Sequence, residues 1–233
     1  MTAARPAPPT PGGRPIDRDR DVRMRPWVYE AFRRVVVPLF RTVFRQEDVG
    51  RQHVPSSGGV VLASMHRSNW DPFVVGVPLH DRRMRFMAKA ELYRVPGLRA
   101  LLRAGGAFKV ERDKADAAAL QIAVELLRRG EVVMVLPEGT RNRDGTARPR
   151  TGAARLALRT GAPLVPAALL GTDDLRLLPP RLPRFAVAYG PPIRTDDLTG
   201  LSSREAARIA TERWSAAVAE LRADLERRAA ARR

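Results

Sequence analysis

His66 and Asp71 lie five positions apart in the segment Ser64-Met65-His66-Arg67-Ser68-Asn69-Trp70-Asp71-Pro72. A turn between them can bring the carboxylate to one imidazole nitrogen. That contact fixes the tautomer, stabilises the imidazolium and leaves the other nitrogen free to take a proton. The chemistry this suits is abstraction of a hydroxyl proton, and a base so positioned is worth roughly 10²–10⁴-fold in rate. Taken alone, the pair also fits a chance histidine beside a helix cap, because Asp is favoured just before a helix and Pro in its first turn. His53 and His80 lack comparable neighbours and read as surface or structural residues. The chain contains no cysteine, which excludes thiol catalysis and disulfides.

Three further segments concentrate reactive or anion-binding side chains. In Gly105-Gly106-Ala107-Phe108-Lys109-Val110-Glu111-Arg112, the glycines permit close backbone approach and Arg112 offers a guanidinium that can grip a phosphate bidentately. In Leu136-Pro137-Glu138-Gly139-Thr140-Arg141-Asn142, an acid, a glycine, a hydroxyl and an arginine fall together. The Gly-Lys-Ser/Thr ending of a Walker loop is missing. The fourth, Leu164-Val165-Pro166-Ala167-Ala168, is an apolar run broken by proline, the pattern of an edge strand or a bulge. Singly, each also reads as an ordinary polar turn or strand end.

The elements that must position these residues follow from hydropathy. Short β-prone runs occur at Val60–Ala63, Met84–Met87, Ala107–Val110, Val132–Leu136, Leu164–Leu170 and Phe185–Tyr189. Helical stretches fall between them at about 72–79, 92–103, 114–129 and 150–160, and a last helix spans 203–228 with a capped Ser-Ser-Arg-Glu start. Strands alternating with helices predict a single α/β domain with a central mixed, largely parallel sheet flanked by helices. In such a sheet His66, Arg112 and Glu138 all follow strands, at the carboxyl edge where α/β proteins place their sites.

Ahead of this domain, residues 1–22 are Pro- and Arg-rich and read as a disordered tail without a secretory signal. Residues 23–47 read as amphipathic interfacial helices. Trp27, Val28, Ala31, Phe32, Val35, Val36, Leu39, Phe40, Val43 and Phe44 fall in a helical stripe with arginines beside them, and Pro38 is expected to kink or split the segment. Residues 48–233 form the catalytic domain, ending in a basic helix. No apolar run is long enough to span a bilayer. The 42 Lys+Arg against 25 Asp+Glu give a net charge of +17, nearly all of it arginine, which favours anionic partners.

The order and spacing of the four segments resemble the lysophospholipid acyltransferase family. That family carries His-x4-Asp, Gly-x-x-Phe-x-x-x-Arg, Glu-Gly-Thr-Arg and a Val-Pro motif, here His66…Asp71, the segment ending at Arg112, Glu138–Arg141 and Val165-Pro166. The likeness extends over about residues 48–190. It implies that His66 is the general base and Asp71 its orienter, in transfer of a fatty acyl group from acyl-CoA or acyl-carrier protein, drawn from solution, to the free hydroxyl of 1-acylglycerol-3-phosphate. It further implies that Arg112, Glu138, Gly139, Thr140 and Arg141 hold the phosphoglycerol part, that Pro166 shapes the donor site, and that no metal or other cofactor is used. The setting implied is peripheral, on the cytoplasmic face of the cell membrane against an anionic surface.

The chain departs from the family pattern at Met65, where Asn is common, at Asn142, where Ser often stands, at Arg150, where Lys is common, and at Lys109-Val110-Glu111. The same chemistry on another lysolipid or alcohol is the nearest alternative. A basic nucleic-acid-binding protein is the alternative of another class, but there is no helix-turn-helix, zinc-knuckle or RNP-like aromatic signature, so no nucleic acid partner is expected. A catalytically silent lipid-binding relative is opposed by the intact His66 and Asp71.

Overall fold

A computed structural model describes residues 25–79, 81–110, 117–142, 146–173 and 183–232. The proline-rich tail, His80, Glu111 and Arg112 lie outside the described residues. In chain order the elements are α1 (Pro26–Thr42), β1 (Glu47–Val49), β2 (Val60–Ser64), α2 (Asp71–Gly76), β3 (Met84–Lys89), α3 (Pro96–Ala104) and β4 (Ala107–Val110). Then follow α4 (Ala117–Arg128), β5 (Val132–Val135), α5 (Gly152–Thr160), β6 (Leu164–Leu170), β7 (Ala186–Tyr189) and α6 (Ser203–Ala230). The seven strands form one sheet in the order β1-β7-β6-β2-β5-β3-β4. Every pairing is parallel except β6 with β7, so the sheet is mixed and largely parallel as expected.

The central strands β2 and β6 are almost wholly buried, which is why they read as unbroken apolar runs rather than alternating ones. Their side chains still alternate between two cores. Val61, Ala63, Leu164 and Ala168 face a layer made by α4, α5 and α6. Val60, Leu62, Val165, Ala167 and Leu169 face the layer of α1, α2 and α3. On α6 the buried residues Ala206, Ala207, Ala210, Thr211, Trp214, Val218 and Leu225 recur at helical spacing. The Ser202 hydroxyl accepts the Glu205 N–H at 3.2 Å, the cap the sequence predicts. The Trp214 indole N–H donates to the Ala63 carbonyl at 3.0 Å, tying α6 to β2 just before His66.

Three expectations are corrected. Pro38 does not split the N-terminal segment, which is one continuous helix, α1. Its inner face seats Tyr29 and Phe40, and Phe40, with Phe44 just past the helix, meets Trp70 and Phe185 in an aromatic cluster. Pro166 marks neither an edge nor a bulge: β6 lies between β2 and β7, with Pro166 opposite Ala63. Its carbonyl accepts the Gly190 N–H at 2.9 Å. Having no N–H to return, Pro166 sits where the ladder with β7 stops, which is how a central strand tolerates it. The third correction is β1, three largely exposed residues that the hydropathy pattern does not reveal and that exist as a strand through pairing with β7.

Candidate active site at the carboxyl edge of the sheet

β2 ends at Ser64 and α2 starts at Asp71, so the six residues between them make a tight connection over the edge of the sheet. Trp70, not Asp71, occupies the N-cap position and makes no side-chain cap. The Asp71 carboxylate instead turns back into the connection. Its Oδ2 accepts the Arg67 N–H at 2.6 Å, the Ser68 N–H at 2.8 Å and the His66 Nδ1–H at 3.0 Å. With Nδ1 committed as donor, Nε2 carries the lone pair that can take a proton. Asp71 is fully buried and His66 is 7% exposed, so the pair is held away from bulk water. His53 does something else: its Nδ1 contacts the Tyr189 carbonyl at 2.8 Å, a structural tether.

The loop after β5 grips His66 by its backbone. Glu138 Oε2 accepts the His66 N–H at 2.8 Å, and the Asn142 N–H donates to the His66 carbonyl at 2.7 Å. The other carboxylate oxygen of Glu138 accepts Asn142 Nδ2 at 2.9 Å. Asn142 Oδ1 accepts the Ala147 N–H at 3.0 Å, and its carbonyl accepts Arg67 Nη1 at 2.6 Å. Arg67 Nε also lies 3.6 Å from Asp173, just beyond β6. Three strand ends, those of β2, β5 and β6, are thereby joined around one histidine.

This arrangement separates the sequence candidates. Glu138 has each carboxylate oxygen engaged inside the protein, so its place here is to position His66 rather than to reach outward. Gly139 adopts φ +71°, a left-handed conformation that favours glycine, and the Arg150 guanidinium lies 3.7 Å from where a side chain would begin. Thr140 and Arg141 are exposed, and among the described residues neither the Arg141 nor the Arg150 guanidinium has an ion-pair or hydrogen-bond partner. Pro166 is not brought to this cluster; it lies within β6, three sheet positions before the level of His66. Asn142 and Arg150 are the functional candidates that motif reading noted only as departures. Their signal was adjacency to Glu138–Arg141, with nothing in residue type to reveal the contacts.

A shallow apolar groove opens between α1, α2 and β3, lined by Tyr29, Phe32, Val36, Phe73, Met84 and Phe86 among others. Among the described residues no three His, Asp or Glu side chains converge as a metal site would need. No described helix is long and apolar enough to cross a membrane.

Comparison with known proteins converges on one family. The family model described as Acyltransferase matches residues 45–170. The chain is 29% identical over 176 residues to the 1-acyl-sn-glycerol-3-phosphate acyltransferase of Bacillus subtilis, covering 76% of this chain and 87% of that relative. It is 31% identical over 163 residues to the human 1-acyl-sn-glycerol-3-phosphate acyltransferase alpha, covering 66% of this chain and 57% of the human protein. The crystal structure of the 1-acyl-sn-glycerophosphate (LPA) acyltransferase PlsC from Thermotoga maritima superposes with a TM-score of 0.61 at 23% identity, covering 83% of this chain and 78% of that one. At that identity the superposition speaks for the fold.

The Glu138 contacts generate a test. In Glu138→Gln one oxygen becomes an NH₂, which must face either the His66 N–H or Asn142 Nδ2, donor against donor. Turnover is expected to fall about 10²-fold, the cost of misplacing a reacting group by an ångström. Acceptor KM is expected to hold. A KM increase at unchanged kcat would instead put Glu138 in contact with substrate.

Proposed function

From the premise that this chain belongs to the acyltransferase family, we propose that it transfers a fatty acyl group from a thioester, acyl-CoA or acyl-carrier protein, to the free hydroxyl of 1-acylglycerol-3-phosphate, giving phosphatidic acid. The observation that carries the mechanism is the single bond from His66 Nδ1 to the buried Asp71 carboxylate, 3.0 Å long. His66 Nε2 takes the acceptor's hydroxyl proton as the oxygen attacks the thioester carbonyl carbon. The carbon–sulfur bond then breaks, and the imidazolium returns the proton to the departing thiolate, leaving an ester and a free thiol. Asp71 stabilises the transient imidazolium without itself changing protonation. No metal or redox cofactor enters this scheme.

The acceptor's phosphate is assigned to Arg141 and Arg150, two exposed guanidiniums beside Gly139. Arg112 is assigned to the same role by the motif it ends. Support for lysophosphatidic acid comes from these cations and from relatives named for that acceptor. Glu138 and Asn142 complete the site by holding the His66 backbone.

α1 suits a bilayer surface. Trp27, Ala31, Val35, Leu39 and Val43, spaced by four, lie on its outer side with Trp27 68% and Val35 69% exposed. Arg34, Arg41 and Arg45 stand among them, the composition of a helix lying in an anionic interface. This helix supports a peripheral association, which we assign to the cytoplasmic face of the cell membrane.

Thiol release from palmitoyl-CoA tests the chemistry, and the absence of cysteine keeps a thiol-reactive dye free of background from the protein. Release dependent on lysophosphatidic acid is expected to fall by at least about two orders of magnitude in His66→Ala; a near-wild-type rate in that variant sinks the mechanism. Arg141→Ala is expected to raise the acceptor's KM with kcat retained, or to change both if the contact tightens in the transition state. An unchanged acceptor response removes Arg141 from the phosphate site. For the membrane, Trp27→Asp/Val35→Asp is expected to lose sedimentation with phosphatidylglycerol vesicles while keeping its helical content. Undiminished sedimentation rejects α1 as the docking element.

A further inference from the structure

Most arginines on α6 are neutralised locally. On α6, Arg208 meets Glu212 at 2.7 Å, Arg222 meets Glu226 at 2.9 Å and Arg228 meets Asp224 at 2.6 Å; after α4, Arg129 meets Glu125 at 2.9 Å. α5 is different. Arg155 and Arg159 lie one helical turn apart on its exposed side, and neither guanidinium has an ion-pair or hydrogen-bond partner among the described residues. Between Thr146 and Thr172 the sequence holds Arg148, Arg150, Arg155 and Arg159 and not one Asp or Glu. Like charges at this spacing disfavour the helix that carries them, so their retention without counter-charges points to an anion supplied from outside.

Which anion follows from the surroundings. Arginines without an ion-pair partner among the described residues also occur on α1 and α3, for example Arg34, Arg99 and Arg103, but there they accompany exposed apolar side chains: Trp27 and Val35 on α1, Leu101 on α3 and Val95 just before it. That mixture suits a bilayer. α5 lies on the opposite face of the sheet from α1, and no large exposed apolar side chain falls on it. If α1 lies on the membrane, α5 faces the aqueous side. Its outer surface is convex helix without an exposed aromatic, a poor seat for an adenine nucleotide and a good one for a protein surface of opposite charge. The start of α5 adjoins the loop that holds His66, since the Arg150 N–H donates to the Pro137 carbonyl at 2.8 Å.

We propose that the Arg155–Arg159 face of α5 is the docking surface for an acidic acyl-carrier protein, which presents its thioester-bound acyl group at the carboxyl edge of the sheet. This rests on the acyl-transfer reading given above and names the donor's carrier. Complementary charge steers the encounter, so binding weakens with salt and the effect falls on donor capture rather than on the chemical step.

The test uses the full chain, holo-acyl-carrier protein without an acyl group as binding probe, and acyl-carrier protein and CoA thioesters of one fatty acid as donors. Wild type is expected to bind the holo-carrier with an affinity that falls as salt rises. Arg155→Glu/Arg159→Glu is expected to weaken that binding, and to raise KM for acyl-carrier protein, by at least about tenfold. The kcat, the KM for acyl-CoA and the vesicle binding should hold. Arg155→Gln/Arg159→Gln, which only removes charge, should fall between the two if the fold is intact. Equal KM changes for both donors, a change for acyl-CoA alone, loss of vesicle binding instead, or no carrier binding by wild type each overturn the proposal. If wild type binds the carrier but transfers from neither donor, the acyl-transfer reading fails while the docking surface stands.

Discussion

One carboxylate oxygen organises the reactive end of this molecule. Asp71 Oδ2 collects the Arg67 and Ser68 N–H groups and the His66 imidazole within 3.0 Å. A buried ionised carboxylate is tolerable only when hydrogen bonds replace its hydration. Charge-assisted bonds of this kind contribute roughly 1.5–3 kcal/mol each. The two backbone donors do most of that replacing at Oδ2, while Oδ1 is buried without a hydrogen-bond partner among the described residues. The His66 contact fixes the tautomer, and in the proposed mechanism it stabilises the imidazolium. Asp71 also lies in the first turn of α2, where the helix dipole favours negative charge.

The second constraint comes from far away in sequence. Glu138, 72 residues from His66, accepts its N–H, and Asn142 closes on its carbonyl. The imidazole is therefore fixed at its ring by α2 and at its backbone by the β5 loop. Rotation of the ring and translation of the peptide are restrained by different elements, each rooted in a buried strand or helix. This is what preorganisation requires: the geometry is set before substrate arrives, by interactions that do not have to reform during the reaction.

The fold was legible in the sequence where burial is extreme. β4 and β6 have the bounds their apolar runs predict, and β2 differs only by including Ser64. β1 was not legible, because Glu47-Asp48-Val49 carries no hydropathy signal and becomes a strand through β7. Pro166 misled for a related reason: whether a missing N–H matters depends on where the neighbouring ladder ends, a tertiary fact. At the site, the His66–Asp71 pairing is local and could be read from spacing alone. The inward role of Glu138 could not, since motif order brings residues to one edge but does not say which way each side chain turns. Asn142 was visible only as an unexpected residue, yet it makes more contacts in the site than any motif member of its loop.

The distribution of counter-charges carries information that the net charge does not. A total of +17 is compatible with nucleic acid, bilayer or carrier protein alike. Resolved by element, the same arginines fall into distinct settings. Those on α6 are mostly cancelled by acids one turn away. Those on α1 and α3 stand among exposed apolar side chains, and those on α5 stand alone. Arg141 and Arg150 form a further setting, bare cations beside a glycine at the mouth of the site. Since local pairs are screened and worth little at a surface, pairing costs an isolated protein almost nothing to arrange. Its absence on chosen faces is therefore the more telling observation. On the proposed reading it divides a uniformly basic sequence into a side for lipid, a side for a soluble donor and, between them, an edge where His66 joins the two.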